Sequence, residues 1–191
     1  MNYVIVDLES TCWQKRARLE RKEIIEIGAV ILDATTLRVV REFSSFVRPV
    51  KEPLLSDFCR SLTTIRQSDV DQADDFKTVW TRFLHWVGTD PFVMYSWGRY
   101  DLDHLQVECR RHGVAFPGSF QQYIDLKGEF ARVKGREACG MKRALSLLGL
   151  PLEGTHHRGI DDARNIARIA QVVIPHLERE PYQESGGMPR G

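Results

Sequence analysis

Apolar residues in the first quarter of the chain fall into three short runs that are typical of β-strands. The runs cover residues 3–9, the β-branched segment 24–32 and residues 38–47, with a tight turn between the last two. Pro49 and Pro53 end this region. We expect the three segments to form an antiparallel meander at the front of a sheet.

Further along the chain, strand runs alternate with helical stripes. The clearest helix has apolar residues at 76, 79, 80, 83, 84 and 87, and Gly88 lies just beyond them. Residues 92–97 are predicted to form a buried strand, and 101–112 a helix that stops at Gly113. This order predicts an α/β fold whose mixed central sheet is flanked by helices.

Weaker signals complete the predicted element order. A short-helix region at 55–74 has Ser56 and Thr64 as cap or turn residues. The remaining elements are a short strand at 123–126, a helix at 141–148 and a last helix that starts near Asp161.

Length and composition fit one globular domain. The chain has 191 residues, 42% of them hydrophobic. We expect the domain to cover residues 1–180 and the tail at 181–191 to be disordered, because the tail has no apolar period. A net charge of +1 neither indicates nor excludes nucleic acid, so any basic surface must be local.

Cysteine spacing and hydropathy exclude several classes of protein. No Cys-x-x-Cys pair is present, which argues against a zinc knuckle or a disulfide framework, and we expect reduced, mostly buried thiols at Cys12, Cys59, Cys109 and Cys139. The chain enters a strand within two residues and has no apolar run of about 18 residues. We therefore expect neither a signal peptide nor a membrane partner, and a cytoplasmic location.

The first strand ends in two acidic residues that share one face, Asp7 and Glu9. At an effective dielectric of about 20, like charges about 4 Å apart repel by about 4 kcal/mol, so a divalent metal ion between them is the simplest counter-charge. The alternative is a solvated pair on an edge strand.

A second acidic position follows the strand at 92–97. On a helical wheel Asp101 lies about 70° from the centre of the apolar stripe and Asp103 about 130° from it. Asp101 therefore borders the core, whereas Asp103 faces water. The alternative interpretation of Asp101 is a helix N-cap.

The segment "GTHHRGIDDARNIARIAQVV" offers two pairs with one spacing, His156 with Asp161 and His157 with Asp162. Asp162 lies about 80° from the centre of the apolar stripe, and Asp161 lies nearly opposite. We take Asp162 as the site residue and Asp161 as an exposed cap. His157 is able to accept a proton from water at neutral pH, although a loop histidine is more often a surface residue.

Taken in order, "VDLEST", "IIEIGAV", Asp101 after "SWGRY", and "HRGIDDA" resemble the 3′-to-5′ exonucleases of the DnaQ-like, DEDDh type. The segments "DLESTCW", "LSDFCRSLTTIRQSDVDQAD" and "GIDDARNIARIA" are similar to those of one branch of this family, the histone-mRNA 3′ exonuclease and its RNA-interference-regulating relatives. The resemblance covers about residues 3 to 178 and implies an RNase H-like fold.

Position by position, the resemblance implies four metal-binding carboxylates and a general base. The carboxylates fall on Asp7, Glu9, Asp101 and Asp162, and the base on His157. They would hold two Mg²⁺ or Mn²⁺ ions about 3.5 to 4 Å apart. The expected reaction removes nucleotides from the free 3′ end of single-stranded RNA or DNA, with RNA favoured, and releases nucleoside 5′-monophosphates.

The resemblance also suggests contacts to the terminal nucleotide. These are the backbone around Leu8, Ser10 and Thr11, with Trp97 and Leu102 as neighbours, although ordinary core packing is at least as good an explanation of the last two. The loop at residues 14–22 offers a local basic footprint or simply a solvated charged loop; its cations are Lys15, Arg16, Arg18, Arg21 and Lys22.

A non-catalytic nucleic-acid-binding module of the same fold is the alternative function. That alternative predicts the loss of at least one acid or of the histidine, and none is lost here.

Overall fold

A computed structural model describes residues 1–177 of the chain, so the predicted tail at 181–191 lies outside the described residues. A five-stranded sheet has the order β3-β2-β1-β4-β5. Its strands are β1 (Asn2–Ser10), β2 (Ile24–Asp33), β3 (Val39–Phe46), β4 (Phe92–Ser96) and β5 (Tyr123–Asp125).

Seven α-helices are present among the described residues. They are α1 (Asp57–Thr63), α2 (Gln67–Asp71), α3 (Phe76–Val87), α4 (Tyr100–His112), α5 (Leu126–Val133), α6 (Met141–Leu147) and α7 (Gly159–Leu177). Within residues 1–177, no helix is long and apolar enough to cross a bilayer.

The predicted mixed sheet is confirmed. β1 pairs antiparallel with β2, and β2 pairs antiparallel with β3, which is the expected meander. β4 runs parallel to β1, and β5 runs parallel to β4. The carboxyl ends of β1 and β4 therefore meet at one edge of the sheet.

Successive side chains of β1 point to opposite faces of the sheet and enter the core on each face. Val4 and Val6 pack with α3 and α4 on one face, and Tyr3 and Ile5 pack with α5, α6 and α7 on the other. Since Asp7 and Glu9 continue the second series, their side chains leave the sheet on the α7 face.

Two helices differ from the prediction by more than one residue. α5 was not predicted, because its eight residues bury only Leu126 and Phe130 and include Gly128. Asp125 starts that helix by accepting a hydrogen bond from the Gly128 backbone N–H at 3.1 Å. α7 begins at Gly159, two residues before the predicted start.

Gly28 of β2 and Gly159 of α7 form the closest contact between the last helix and the sheet. A Cβ added at Gly28 would lie 1.9 Å from the Gly159 carbonyl carbon. A Cβ at Gly159 would lie 3.0 Å from the Gly28 nitrogen and 3.1 Å from the Asp7 carbonyl oxygen. The first turn of α7 is thus seated on the backbone of the Asp7–Gly28 pair, which only glycine permits.

We expect Gly28→Ala to destabilise the fold by about 3 kcal/mol or more, because backbone atoms rather than a movable side chain occupy the Cβ position. Urea unfolding followed by circular dichroism measures the change. Gly118→Ala is the matched control, since nothing lies within 4 Å of its Cβ position. Equal unfolding midpoints for the two variants would contradict the expectation.

Candidate active site

Three carboxylates converge where β1 meets the start of α7. Asp7 and Glu9 come from β1 and Asp162 from α7, and one oxygen of each lies within 4.8 Å of the others. Glu9 and Asp162 are buried, and Asp7 is half-buried. The structure therefore brings together three of the four predicted acids.

Asp101 approaches the same place from the opposite face of the sheet. It is buried in the first turn of α4, and its Oδ1 accepts a hydrogen bond from the Leu8 backbone N–H at 3.1 Å. Because Arg99 occupies the N-cap position, the N-cap interpretation of Asp101 is wrong. Asp103 is more exposed and pairs with Arg99 at 3.1 Å, as the helical wheel predicted.

Burial raises the pKa of Asp7, Glu9 and Asp101, and repulsion from neighbouring carboxylates adds to the effect at Asp7 and Glu9. Burial, followed by the charges of Asp101 and Glu9, raises the pKa of Asp7 well above its ordinary value. The pKa of Glu9 is raised in the same way, by burial and then by Asp162. Burial raises the pKa of Asp101 to about 7.

These properties fit a divalent cation. Carboxylate oxygens are the donors that Mg²⁺ and Mn²⁺ prefer, and a positive charge would remove the repulsion that raises the pKa of the acids. Asp7, Glu9 and Asp162 are placed to ligate directly. Asp101 is outside the group of oxygens that lie within 4.8 Å of one another.

The histidine turn places both imidazole rings beside Asp162. Asp162 accepts hydrogen bonds from His156 Nδ1 and from the His157 backbone N–H, both at 2.9 Å. The hydrogen-bonded ring partner of Asp162 is therefore His156, and a ring nitrogen of His157 also lies within 4.8 Å of an Asp162 oxygen. The two rings stack, with centroids 4.0 Å apart.

His157 is half-buried and has a left-handed backbone, with φ of 64°. Burial, followed by the neighbouring His156, lowers the pKa of His157 below its ordinary value of 6.5. Its imidazole is consequently neutral at pH 7 and able to accept a proton.

Asp161 is not the exposed cap that the sequence predicts, because α7 already begins at Gly159. Its Oδ2 accepts a hydrogen bond from the Thr155 backbone N–H at 2.8 Å, and its Oδ1 pairs with Arg164 at 3.1 Å. Asp161 thus holds the loop that carries the two histidines.

The predicted nucleotide contacts lie in different environments, and their binding role stays a prediction. Leu8 and Leu102 are buried in one core cluster. The Thr11 hydroxyl accepts a hydrogen bond from the Glu23 backbone N–H at 3.0 Å. Trp97 donates from Nε1 to the Cys139 carbonyl at 3.0 Å and packs on Phe130.

Ser10, the remaining predicted contact, leads to a residue that sequence reasoning missed. Its Oγ lies 3.0 Å from the hydroxyl of Tyr100, and Lys22 Nζ donates to the same hydroxyl at 3.3 Å. The pairing register of β1 with β2 shifts between Glu9 and Ser10, which re-aims this part of the strand. The available signal was that Tyr100 directly precedes Asp101.

Glu26 was also missed. It is fully buried on β2 and binds Arg158 and the Gly159 backbone N–H, at 3.1 and 3.0 Å. A single carboxylate inside the apolar run "IIEIGAV" was the signal.

The basic loop at residues 14–22 contains both paired and exposed cations. Arg21 pairs with Glu52 at 2.7 Å and lies over the Trp13 ring, and Lys22 reaches Tyr100. Lys15, Arg16 and Arg18 are exposed. The binding role predicted for this loop stays a prediction.

Comparison with known proteins finds a matching family and similar proteins. A family model described as Exonuclease (RNase_T) matches residues 4–170. ERI1 exoribonuclease 2 of Danio rerio is 34% identical over 192 residues, covering 90% of this chain and 34% of that protein. 3′-5′ exoribonuclease 1 of Homo sapiens is 34% identical over 180 residues, covering 89% of this chain and 51% of that protein.

A solved structure is similar over the whole domain. It is the nuclease domain of 3′hExo, a DEDDh family member bound to rAMP, with a TM-score of 0.86, 30% identity and 92% of each chain covered. The chain spans only 28 to 34% of the length of the ERI1 exoribonuclease 2 proteins that it matches.

We expect the metal-free protein to lose stability as the pH rises. With a pKa raised from 3.8 to about 7, the folded protein keeps a proton on Asp101 that the unfolded chain releases. This contribution is complete below about pH 4 and is lost as the pH rises to about 7. The Asp101→Asn variant has no such proton to release. Between about pH 4 and 7, with EDTA present, the melting temperature of the parent should therefore fall more steeply than that of Asp101→Asn.

Asp103→Asn is the matched control, since it changes an exposed acid in the same helical turn, and it should follow the parent. If the melting temperatures of the parent and of Asp101→Asn change equally with pH, the raised pKa of Asp101 is contradicted.

Proposed function

The chain belongs to the exonuclease family whose model matches residues 4–170, and from this premise we propose that it is a metal-dependent 3′-to-5′ exonuclease. It removes nucleotides from the free 3′ end of single-stranded nucleic acid and releases nucleoside 5′-monophosphates. The observation that carries the proposal is the convergence of Asp7, Glu9 and Asp162 beside a neutral His157.

We propose that Asp7, Glu9 and Asp162 would hold divalent cations, Mg²⁺ or Mn²⁺, and that Asp101 would support them from the α4 side. When bound, two such ions supply the positive charge that phosphodiester hydrolysis needs at the attacking and leaving oxygens. The backbone N–H of Leu8 holds Asp101 Oδ1, and the backbone N–H of His157 holds Asp162 Oδ2. Each of these carboxylates is thereby oriented before any cation binds.

His157 accepts the proton of the attacking water at a ring nitrogen. Its lowered pKa keeps the ring in the accepting form at neutral pH. His156 is bound through Nδ1 to Asp162, so His157 is the histidine whose ring remains available for this role.

RNA is the favoured substrate. Both relatives described above carry the name exoribonuclease, and a further solved structure, 31% identical with a TM-score of 0.82, concerns recognition of the histone mRNA stem-loop 3′ end. In this chain, the Ser10 and Tyr100 hydroxyls lie 3.0 Å apart and directly adjoin Glu9 and Asp101 in the sequence, and we propose them as donors and acceptors for a sugar.

A non-catalytic binding module is disfavoured. Such a module has no need to bring three carboxylates together, two of them buried, since their mutual repulsion costs free energy that a bound cation would offset.

The first test is degradation of 5′-labelled RNA and DNA oligomers of one sequence, with Mg²⁺ or Mn²⁺. We expect a ladder of shortened products, faster on RNA and blocked by a 3′-phosphate. Asp7→Asn should reduce the rate by at least about 100-fold, because it removes a ligand charge at the centre of the cluster.

Asp103→Asn should cut like the parent, because Asp103 lies on the solvent side of α4. An absence of products with every metal ion, or an Asp7→Asn variant as active as the parent, would overturn the proposed function.

The second test separates the two histidines. His157→Ala should lower kcat by about 100-fold or more, because general-base catalysis commonly contributes that much, while metal-dependent binding of AMP stays nearly unchanged. His156→Ala should lower kcat by less than about tenfold, since it leaves the base in place. The reverse order of effects would transfer the role of base to His156.

A further inference from the structure

Glu26 is a buried acid that faces another acid. It lies directly opposite Glu9 in the antiparallel pairing of β1 with β2, and it is fully buried. Like charges placed opposite each other destabilise a sheet. The charge of Glu26 also contributes to raising the pKa of Asp7 and Glu9. On its own, Glu26 therefore worsens an already repulsive cluster.

Glu26 is nevertheless outside the sets of metal-ligating atoms found within residues 1–177. Its Oε2 accepts hydrogen bonds from Arg158 Nε at 3.1 Å and from the Gly159 backbone N–H at 3.0 Å. The Arg158 guanidinium also lies over the Phe46 ring, 5.2 Å from its centroid. Two consecutive residues are thus fixed to one carboxylate.

These two residues directly follow His157. The backbone of His157 adopts φ of 64° and donates its N–H to Asp162 at 2.9 Å. The turn is held on one side by Asp162 and on the other by Glu26. With both ends of the turn fixed, the imidazole has a defined place beside Asp162.

Docking of α7 has contacts besides those of Glu26. The helix already packs through Gly159 on Gly28, and Arg164 pairs with Glu42 of β3 at 2.6 Å. A buried ion pair such as Glu26 with Arg158 is weak evidence for a stabilising role, because desolvation offsets much of its attraction. The positional effect of the pair is the better explanation of its presence.

We propose that Glu26 is a positioning residue for the general base: it fixes Arg158 and Gly159 and so holds the His157 turn over the three carboxylates. The proposal rests on the proposed exonuclease function. Glu26 touches neither substrate nor reacting atoms and acts only through the turn.

Glu26→Gln is the sharpest variant, because glutamine keeps the shape and an acceptor for the Gly159 N–H but removes the charge that holds Arg158. At saturating Mn²⁺, we expect kcat on RNA to fall about tenfold or more while KM changes less than about threefold. Mn²⁺ affinity, measured by calorimetry, should stay within about threefold of the parent. A purely structural residue would lower stability without this split between kcat and KM.

Glu42→Gln is the matched control. It removes the charge from the other pair between α7 and the sheet, Arg164 with Glu42, and it should keep the parent kcat. Arg158→Lys is a second variant in case Glu26→Gln does not fold. It retains a positive charge beside Glu26 but loses the planar fork, so its kcat should also fall about tenfold.

The outcomes are distinguishable. An active parent with Glu26→Gln within twofold of its kcat would overturn the positioning role and leave the exonuclease function standing. Mn²⁺ affinity reduced more than tenfold would instead make Glu26 part of the metal site and also overturn the proposal. An inactive parent would overturn the proposed function and this inference together.

Discussion

The contact of Gly28 with Gly159 is the constraint on which the site depends. Asp7 and Gly28 are paired across β1 and β2, and Gly159 rests on that pair at backbone distance. Asp162 lies three residues later, one turn into α7. A side chain at either glycine would move the helix start away from β1, and Asp162 would move with it. The distance between the acids of β1 and Asp162 of α7 is therefore set by two glycines, whose lack of a Cβ lets the two backbones touch.

The second feature that determines the site is the concentration of negative charge in one place. Asp7, Glu9, Asp162 and Glu26 approach one another on one face of β1, and Asp101 arrives from the other. Backbone N–H groups of Leu8, His157 and Gly159 supply hydrogen bonds, and Arg158 neutralises Glu26. These contacts orient the carboxylates but leave the repulsion among Asp7, Glu9 and Asp162 for a cation to remove.

Periodicity predicted which acids enter the site. The two-residue period of β1 places Asp7 and Glu9 on one face, and the helical wheel separates Asp101 from Asp103 and Asp162 from Asp161. Asp7, Glu9, Asp101 and Asp162 lie where the periodicity places them, because one rigid element decides each position, and their roles in the site stay predictions. The partner of the His156 ring was not predictable in this way, since it depends on a left-handed residue in a loop. Glu26 was missed because its role appears only when β2 and α7 are packed together.

The backbone of His157 has an evolutionary consequence. A left-handed conformation costs most residues about 1 kcal/mol, and glycine and asparagine adopt it more readily. Under the proposed function, the use of its ring keeps histidine at position 157, where selection for stability alone would favour glycine or asparagine. A lineage that lost hydrolysis but kept the fold should then change this position early, before the buried acids that pack in the interior. Under that proposal, position 157 would be a sequence marker that distinguishes working members of the fold from silent ones.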